Sequence, residues 1–183
     1  MTSANDPHTI WTIGHSTRTL EEFLGLLTAH RIEAIADVRS FPGSRRYPHF
    51  ARDALAETLP ADGITYRWLP GLGGRRKVRP GSPNTAWRNA SFQAYADHLD
   101  STEFAEGLDE LMALAAVGRT ALMCAEAVWW RCHRSLISDV LKLHGIEVIH
   151  IIDARHSTTH PYTSASRIVD GRLNYALPQG DLL

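Results

Sequence analysis

The stretch with the clearest chemical potential runs from residue 123 to residue 135 and contains both cysteines of the chain, Cys124 and Cys132. Its sequence predicts a strand end, then a loop, then the start of a helix. A cysteine in this position faces backbone N–H groups and the positive end of a helix dipole, which stabilise a thiolate and favour a bound oxyanion. We therefore predict Cys124 as a nucleophile. Cys132, closer to the helix start, is the second choice.

Arginines flank the two cysteines in sequence. Arg131 and Arg134 can each donate charge-assisted hydrogen bonds to a phosphate or sulfate. This arrangement resembles the loops of cysteine phosphatases and rhodaneses, but the spacing from Cys124 to Arg131 is one residue longer than in the phosphatase loop. The loop also contains two tryptophans and no glycine, although such loops commonly use positive φ values. The alternative is that Cys124 is a small buried hydrophobic residue at a strand end.

The predicted helix start at residues 132–135 offers unpaired N–H groups and roughly half a positive charge. We expect it to bind an anion together with Arg39. Arg134 could instead form an ion pair with Asp139 or Glu126, as helical arginines commonly do.

The two cysteines and a neighbouring histidine also raise the question of a metal. Cys124, Cys132 and His133 would place two ligands side by side and the third eight positions away. This spacing matches no common zinc motif. The sequence therefore predicts no metal and no cofactor.

Polar residues also follow the other predicted strands. His15 and Ser16 come after the first strand, and Asp37 and Arg39 stand at the end of the second. Because the carboxyl ends of parallel strands share one edge of a sheet, we expect these residues beside the cysteine loop. Asp37 and Glu126 could form an acid–base pair, and Glu126 or His15 could carry a proton. Alternatively, Asp37 pairs with Arg39, and polar residues gather at strand ends for structural reasons.

Short apolar runs alternate with amphipathic stretches along most of the chain. This alternation predicts a three-layer α/β fold, Rossmann-like or rhodanese-like, with a mainly parallel central sheet and helices on both faces. Thr19 and Glu22 form a capping box before the first helix, and residues 72–89 form a long polar loop. The predicted strands are 9–13, 32–38, 64–69, 120–124 and 146–152, and the predicted helices are 19–30, 51–59 (closed by Pro60), 91–99, 102–117 and 133–144.

The net charge is −1, but positive charge is concentrated between residues 39 and 88. That segment holds ten basic and three acidic residues, including Arg75 and Arg76 in the polar loop. A neutral protein with one basic segment favours a local anionic ligand over general attraction to polyanions. Aromatic residues interleave with these charges, which is typical of surfaces that bind single-stranded nucleic acid, although at least half of the aromatics should be core.

The chain length of 183 residues fits a single α/β domain over residues 1–153, followed by a tail over 154–183. In the tail, Asp170 and Gly171 predict a hairpin that packs on the domain or pairs with another copy, so a homodimer is one reading. Residues 156–160 are polar and expected to be mobile. The sequence shows no secretion signal and no membrane span, which predicts a cytoplasmic protein with free thiols.

Several ordered motifs resemble the domain-of-unknown-function family 488. They are residues 13–16 (IGHS), 19–23 (TLEEF), 37–42 (DVRSFP), 72–74 (LGG), 124–126 (CAE) and 132–135 (CHRS). The resemblance covers roughly residues 9–153 and implies a cytoplasmic α/β domain with no settled activity. It therefore assigns no role to any residue.

Taken together, these patterns predict an enzyme, a hydrolase or transferase, that acts on a phosphate-bearing substrate such as a nucleotide or nucleic acid. The alternative is a non-catalytic module that binds nucleic acid through residues 39–88. The predicted catalytic residues are Cys124, Glu126, His15 and Asp37, and the predicted substrate-binding residues are Ser16, Arg39, Arg75, Arg76, Arg131, His133, Arg134 and Ser135.

Overall fold

The computed structural model describes residues 8–178, which form eight strands and five α-helices. The strands are β1 (Thr9–Gly14), β2 (Ala34–Asp37), β3 (Thr65–Trp68), β4 (Thr120–Cys124), β5 (Glu147–Ile151), β6 (Ser157–Thr159), β7 (Arg167–Val169) and β8 (Arg172–Asn174), and the helices are α1 (Leu20–Ala29), α2 (Arg52–Ala61), α3 (Ala90–His98), α4 (Thr102–Ala115) and α5 (Arg134–Leu143). Six strands form one sheet in the order β3-β2-β4-β1-β5-β6. The first five run parallel, and β6 runs antiparallel beside β5. The predicted fold class is thus confirmed.

The helices cover both faces of this sheet. Helices α1 and α2 bury Phe23 and Leu55 against one face. Helices α3, α4 and α5 bury Tyr95, Leu111 and Leu136 against the other. None of the helices among residues 8–178 has the length and apolar character needed to cross a membrane.

Local sequence signals set the helix boundaries. Thr19 Oγ1 accepts a hydrogen bond from the backbone N–H of Glu22, and the Glu22 carboxylate accepts one from the N–H of Thr19, as the capping box predicts. The prediction that Pro60 ends α2 is wrong, because Pro60 lies inside its last turn. The helix ends instead at Ala61, and Gly63 follows with a φ of +76° that lets backbone N–H groups return to the carbonyls of Pro60 and Leu59.

The chain after β5 returns to the sheet. The backbone N–H of His160 donates to the carbonyl of Val148 at 2.8 Å, and the His160 side chain is buried. The expected mobility of residues 156–160 is therefore wrong, since pairing with β5 holds them. Asp170 and Gly171 adopt φ values of 50° and 73° in the turn between β7 and β8, which confirms the predicted hairpin.

Candidate active site

The carboxyl ends of β1, β2 and β4 lie side by side, because β4 pairs with both neighbours. Gly14 is opposite Cys124, and Asp37 is opposite Met123. The segments that follow these strands surround two adjoining cavities of about 420 and 560 Å³. We call them the thiol cavity, which contains Cys124, and the histidine cavity, which contains His15. The two cavities share Arg39, Phe41, Ala125, Glu126 and Arg131.

Two free thiols meet in the wall of the thiol cavity. Cys124 Sγ and Cys132 Sγ are 2.7 Å apart, and both residues are buried. Cys132 Sγ also lies 3.5 Å from Nδ1 of His133 and accepts the backbone N–H of Arg134 at 3.5 Å. Cys124 Sγ lies 3.7 Å from the backbone carbonyl of Glu126. The backbone N–H of Arg134 therefore donates to Cys132, and the single thiol proton of Cys124 can be donated either to Cys132 or to the carbonyl of Glu126.

These contacts make one thiol acidic and keep the other protonated. Burial by itself raises the pKa of a thiol. For Cys132, the hydrogen bond from Cys124 and the positive charges of His133 and Arg134 outweigh burial and hold its pKa well below the ordinary value. Burial, reinforced by the adjacent Cys132, holds the pKa of Cys124 well above it. The geometry thus favours Cys132 as the thiolate, whereas the sequence favoured Cys124.

His133 has a fixed tautomer. Its Nε2 lies 2.8 Å from the backbone carbonyl of Val38, which can only accept, so Nε2 carries the proton and Nδ1 faces Cys132 with its lone pair. Nδ1 can then take the thiol proton and form an imidazolium beside the thiolate. Gly74 makes room for this ring, because a Cβ at residue 74 would lie 2.5 Å from Nδ1. The role of Gly74 was not recognised from the sequence.

Arg39 is held in the wall of both cavities by Asp37. Nε and Nη2 of Arg39 donate to the two carboxylate oxygens of Asp37 at 2.9 and 2.7 Å, and Tyr66 Oη donates to Asp37 at 2.5 Å. Asp37 is fully buried and lines neither cavity. The structure therefore places Asp37 behind Arg39 as its anchor and gives it no contact with a bound molecule, in contrast to its predicted catalytic role.

His15 lines the histidine cavity beside Ser16. Its Nδ1 donates to the backbone carbonyl of Ser16 at 2.9 Å, so Nε2 is left to accept from Nη1 of Arg39 at 3.4 Å. Burial, with a smaller contribution from Arg39, lowers the pKa of His15 to about 4. The sequence predicts that His15 carries a proton. Such a weak base is better suited to positioning Arg39.

Three predicted anion-binding residues lie away from the cavity walls. Arg134 is buried and donates from Nη2 to the backbone carbonyl of Glu126 at 2.7 Å, and not to the Glu126 carboxylate. Ser135 is buried and donates to the carbonyl of Cys132 at 2.9 Å. Arg76 donates to the Glu103 carboxylate at 2.9 Å and to loop carbonyls. All three hold backbone or carboxylate groups of the protein, and they line neither cavity.

A chain of buried hydrogen bonds extends from Arg134 into the interior. Nη1 of Arg134 lies 3.1 Å from Oγ1 of Thr12, which lies 2.6 Å from Nδ1 of His150. Nε2 of His150 lies 2.9 Å from Nδ1 of His160, and Nε2 of His160 lies 2.8 Å from the Asp139 carboxylate. We call these five residues the buried relay. It joins Arg134 to Asp139 indirectly.

Hydrogen-bond roles are fixed at the two ends of the buried relay, because a guanidinium only donates and a carboxylate only accepts. Nη1 of Arg134 therefore donates to Thr12, and Nε2 of His160 donates to Asp139. Between them, a neutral His150 that accepts from Thr12 and donates from Nε2 to His160 completes the chain. Burial, with the nearby His160 and Arg134, lowers the pKa of His150 to about 2, in agreement with this arrangement. A cation near the thiols is thus balanced by a buried anion.

The cysteine loop and the tail both contact the buried relay. Trp129, between the two cysteines, stacks on His150 with ring centroids 4.3 Å apart and an interplanar angle of 4°. From the tail, the hydroxyl groups of Thr163 and Tyr175 donate to Asp139 at 2.5 and 2.8 Å. The relay was not recognised from the sequence, although one signal was available: Thr12 and His150 each stand between two apolar residues inside a strand.

Two guanidinium groups remain available at the thiol cavity. Arg75 and Arg131 are exposed, line the cavity, and form no ion pair with a carboxylate of residues 8–178. Arg75 lies over the ring of Phe41 at 5.3 Å, and Phe41 is 72% exposed. Glu126 adds one exposed carboxylate to the same walls. Within the described part of the chain, no group of three or more His, Cys, Asp or Glu side chains is arranged to hold a metal ion.

The fold and the cavity define a three-layer α/β protein with a cysteine–histidine pair at the carboxyl edge of its sheet. The family model described as "Domain of unknown function DUF488" matches residues 19–141, and the chain therefore belongs to that family. The matched range contains both cysteines, His133 and Gly74. Searches of the curated proteins and of the solved structures found no match.

Proposed function

We propose that the protein is an enzyme that acts on a phosphate-bearing substrate through a covalent intermediate on Cys132. One observation carries this proposal: Cys132 Sγ lies between Nδ1 of His133 and the backbone N–H of Arg134, each at 3.5 Å. This arrangement is that of a nucleophile with an adjacent base. It opens on a cavity whose walls carry the guanidinium groups of Arg75 and Arg131.

The charge distribution supports an anionic substrate. Arg75 and Arg131 can each place donors on a phosphate, and Arg39 adds a third guanidinium that Asp37 holds in a fixed orientation. Of these three arginine charges, Asp37 offsets that of Arg39 and Glu126 offsets one other. A small excess of positive charge therefore remains at the cavity. This favours a phosphate ester with few charges over a long polyanion.

The proposed reaction has two steps, transfer of the phosphoryl group to Cys132 and hydrolysis of the S–P bond. The Cys132 thiolate attacks phosphorus, the S–P bond forms, and the bond to the leaving oxygen breaks while that oxygen takes the proton from the His133 imidazolium. Water then attacks phosphorus and gives its proton to His133, the S–P bond breaks, and the thiolate is restored. Glu126, exposed in the same cavity, is the alternative proton carrier, as its carboxylate can reach a leaving group that lies away from His133.

The test measures hydrolysis of para-nitrophenyl phosphate, its diester and nucleoside phosphates, together with trapping of the intermediate by acid quench and intact mass. We expect Cys132→Ser to abolish turnover and Cys132 to carry the phosphoryl group in the quenched sample. The control Asp109→Asn, on the exposed side of α4, should keep full activity. Absence of turnover on every one of these substrates, or full activity of Cys132→Ser, would overturn the proposal.

A second test examines the anion site directly. Inorganic phosphate bound between Arg75 and Arg131 should slow alkylation of Cys132 by iodoacetamide. The double variant Arg75→Ala, Arg131→Ala should lose this protection, whereas Arg155→Ala, an exposed arginine outside both cavities, should keep it. Equal protection in the double variant would contradict the assigned anion site.

The alternative of a non-catalytic nucleic-acid module rests on Phe41 and Arg75, which together offer an exposed ring and a cation at the cavity mouth. Elsewhere in residues 39–88 the charges are partly engaged, since Arg76 pairs with Glu103 and Arg79 lies 3.8 Å from Asp97. Binding of a single-stranded oligonucleotide that survives Cys132→Ser but is lost in Arg75→Ala, without phosphatase activity, would favour the module.

A further inference from the structure

The sulfur atoms of Cys124 and Cys132 are in close contact, although a nucleophilic Cys132 needs only an adjacent base and not a second thiol. Their sulfur atoms are 2.7 Å apart, against about 2.05 Å in a disulfide bond. Cys124 is the last residue of β4 in the centre of the sheet, and Cys132 lies just before α5. Two regular elements therefore hold the sulfur atoms at near-bonding distance.

The two thiols also differ in protonation, and thiol–disulfide chemistry uses such a difference between an attacking thiolate and a second, protonated thiol. Cys132 Sγ accepts the backbone N–H of Arg134 and lies beside the base His133, which together stabilise it as a thiolate, while the thiol of Cys124 lies 2.7 Å away and can donate to it. A thiolate attacks an oxidant, and a second thiol in contact with the attacked sulfur can then displace the oxygen. Both cysteines line the thiol cavity, so a small oxidant can reach them.

We propose that Cys124 and Cys132 are a redox-active pair in which Cys132 reduces a hydroperoxide and Cys124 resolves the product as an intramolecular disulfide. In the first step the Cys132 thiolate attacks one peroxide oxygen, an S–O bond forms, the O–O bond breaks, and the leaving oxygen takes a proton. In the second step Cys124 sulfur attacks Cys132 sulfur, an S–S bond forms, the S–O bond breaks, and the released hydroxide combines with the Cys124 proton as water. The two sulfur atoms supply the two electrons that reduce the peroxide.

The disulfide has two consequences at this site. It removes the thiolate that the proposed function uses, so oxidation stops that activity until a dithiol reductant returns both thiols. It also protects Cys132 from further oxidation to the sulfinic acid, which is irreversible in the absence of a dedicated repair enzyme. The redox proposal itself depends only on the sulfur pair and not on the phosphate-bearing substrate.

The sequence provides a clean readout. Arg131 lies between the cysteines, so trypsin separates Cys124, in peptide 120–131, from Cys132, in peptide 132–134. After treatment with hydrogen peroxide, we expect the wild-type monomer to become two hydrogens lighter, to lose both free thiols, and to give these two peptides as one linked species. Dithiothreitol should reverse all three changes.

Single-cysteine variants separate the two roles. Cys124→Ser should accumulate a sulfenic acid on Cys132, trapped by dimedone, and then proceed to the sulfinic acid. Cys132→Ser should keep Cys124 as a free thiol at the same peroxide dose. Far-UV circular dichroism checks that each variant is folded, and if one is not, peptide mapping of the wild-type chain decides alone.

Three results would overturn the proposal. They are sulfinic acid on wild-type Cys132 without a linked peptide, a disulfide that forms only between two molecules, and peroxide reacting first with Cys124. If the disulfide forms but no phosphate ester is hydrolysed, the proposed function fails and the redox pair stands. If hydrolysis depends on Cys132 but no intramolecular disulfide forms, the reverse holds.

Discussion

The carboxylate of Asp139 accepts a hydrogen bond from Nε2 of His160 at 2.8 Å, with both side chains fully buried. This bond connects the tail to α5 and closes the buried relay that begins at Arg134. Asp139 also accepts from Thr163 and Tyr175. One carboxylate therefore supports the tail and balances the charge of Arg134.

Replacing Asp139 by Asn should destabilise the protein strongly. The variant leaves a buried cation without its anion and presents an amide NH2 to groups that donate to the carboxylate in the native protein, which we expect to cost about 3 kcal/mol of unfolding free energy. Urea unfolding followed by circular dichroism measures this change. Asp109→Asn, an exposed aspartate on α4, should leave the midpoint nearly unchanged, and an equally stable Asp139→Asn would contradict the relay.

The neutral buried histidines make stability depend on pH. Burial lowers the pKa of His150 to about 2 and that of His15 to about 4, while an unfolded histidine titrates near 6.5. Below about pH 6.5 the unfolded chain therefore binds more protons, and the unfolding free energy falls by up to about 1.4 kcal/mol per pH unit for each histidine. The destabilisation due to His15 levels off below about pH 4, because His15 is then protonated in the folded state as well. The destabilisation due to His150 continues to increase at pH values below 4.

The measurement is urea unfolding at several pH values between 7 and 4. We expect His150→Gln to reduce the slope of unfolding free energy against pH, whereas His144→Gln, at the exposed end of α5, should keep it. A wild-type protein whose stability is constant over this range would show that these imidazoles are not held neutral.

Gly74 should control the reactivity of Cys132 through His133. A methyl group at residue 74 meets Nδ1 of His133 at 2.5 Å and displaces the ring from the thiol. We expect Gly74→Ala to raise the pKa of Cys132 and to slow its alkylation at pH 6 roughly tenfold. Gly25→Ala in α1 is the matched control, since no atom lies within 4 Å of the added methyl group. Equal rates in both variants would remove Gly74 and His133 from the site.

Asp37→Asn should destabilise the protein by about 3 kcal/mol, because Arg39 then remains charged and buried without a carboxylate. The same variant should weaken protection of Cys132 by inorganic phosphate, as Arg39 loses its orientation. Asp53→Asn removes a carboxylate from an exposed pair with Arg52 and should change neither stability nor protection. Thermal unfolding and the alkylation assay together check this prediction, which fails if Asp37→Asn behaves like Asp53→Asn.

The sequence predicted the mainly parallel sheet, and it predicted that the polar residues after β1, β2 and β4 share one edge of that sheet. Alternating periodicity placed five parallel strands, and the capping box at Thr19 and the turn at Asp170 followed from local chemistry. Local rules failed at Pro60, because the glycine motif after it determines where α2 ends. The polar composition of residues 156–160 also predicted mobility, because composition gives no indication that this segment pairs with β5.

The choice between the two cysteines could not be made from sequence. The acidity of Cys132 depends on the carbonyl of Val38, which fixes the tautomer of His133, and on Gly74, which leaves space for its ring. These groups come from three separate segments. The partners of Arg134 could not be read from sequence either. Its helix position suggested a contact with an anion, whereas Nη1 donates to Thr12 and Nη2 to the carbonyl of Glu126.

The pH dependence of iodoacetamide alkylation, with each cysteine quantified in its own tryptic peptide, distinguishes Cys132 from Cys124 as the reactive thiolate. We predict that Cys132 reacts with a midpoint well below the free-thiol pKa of about 8.5, while Cys124 stays unmodified throughout the neutral range. Alkylation of Cys124 first, or a midpoint for Cys132 at the free-thiol value, would contradict it.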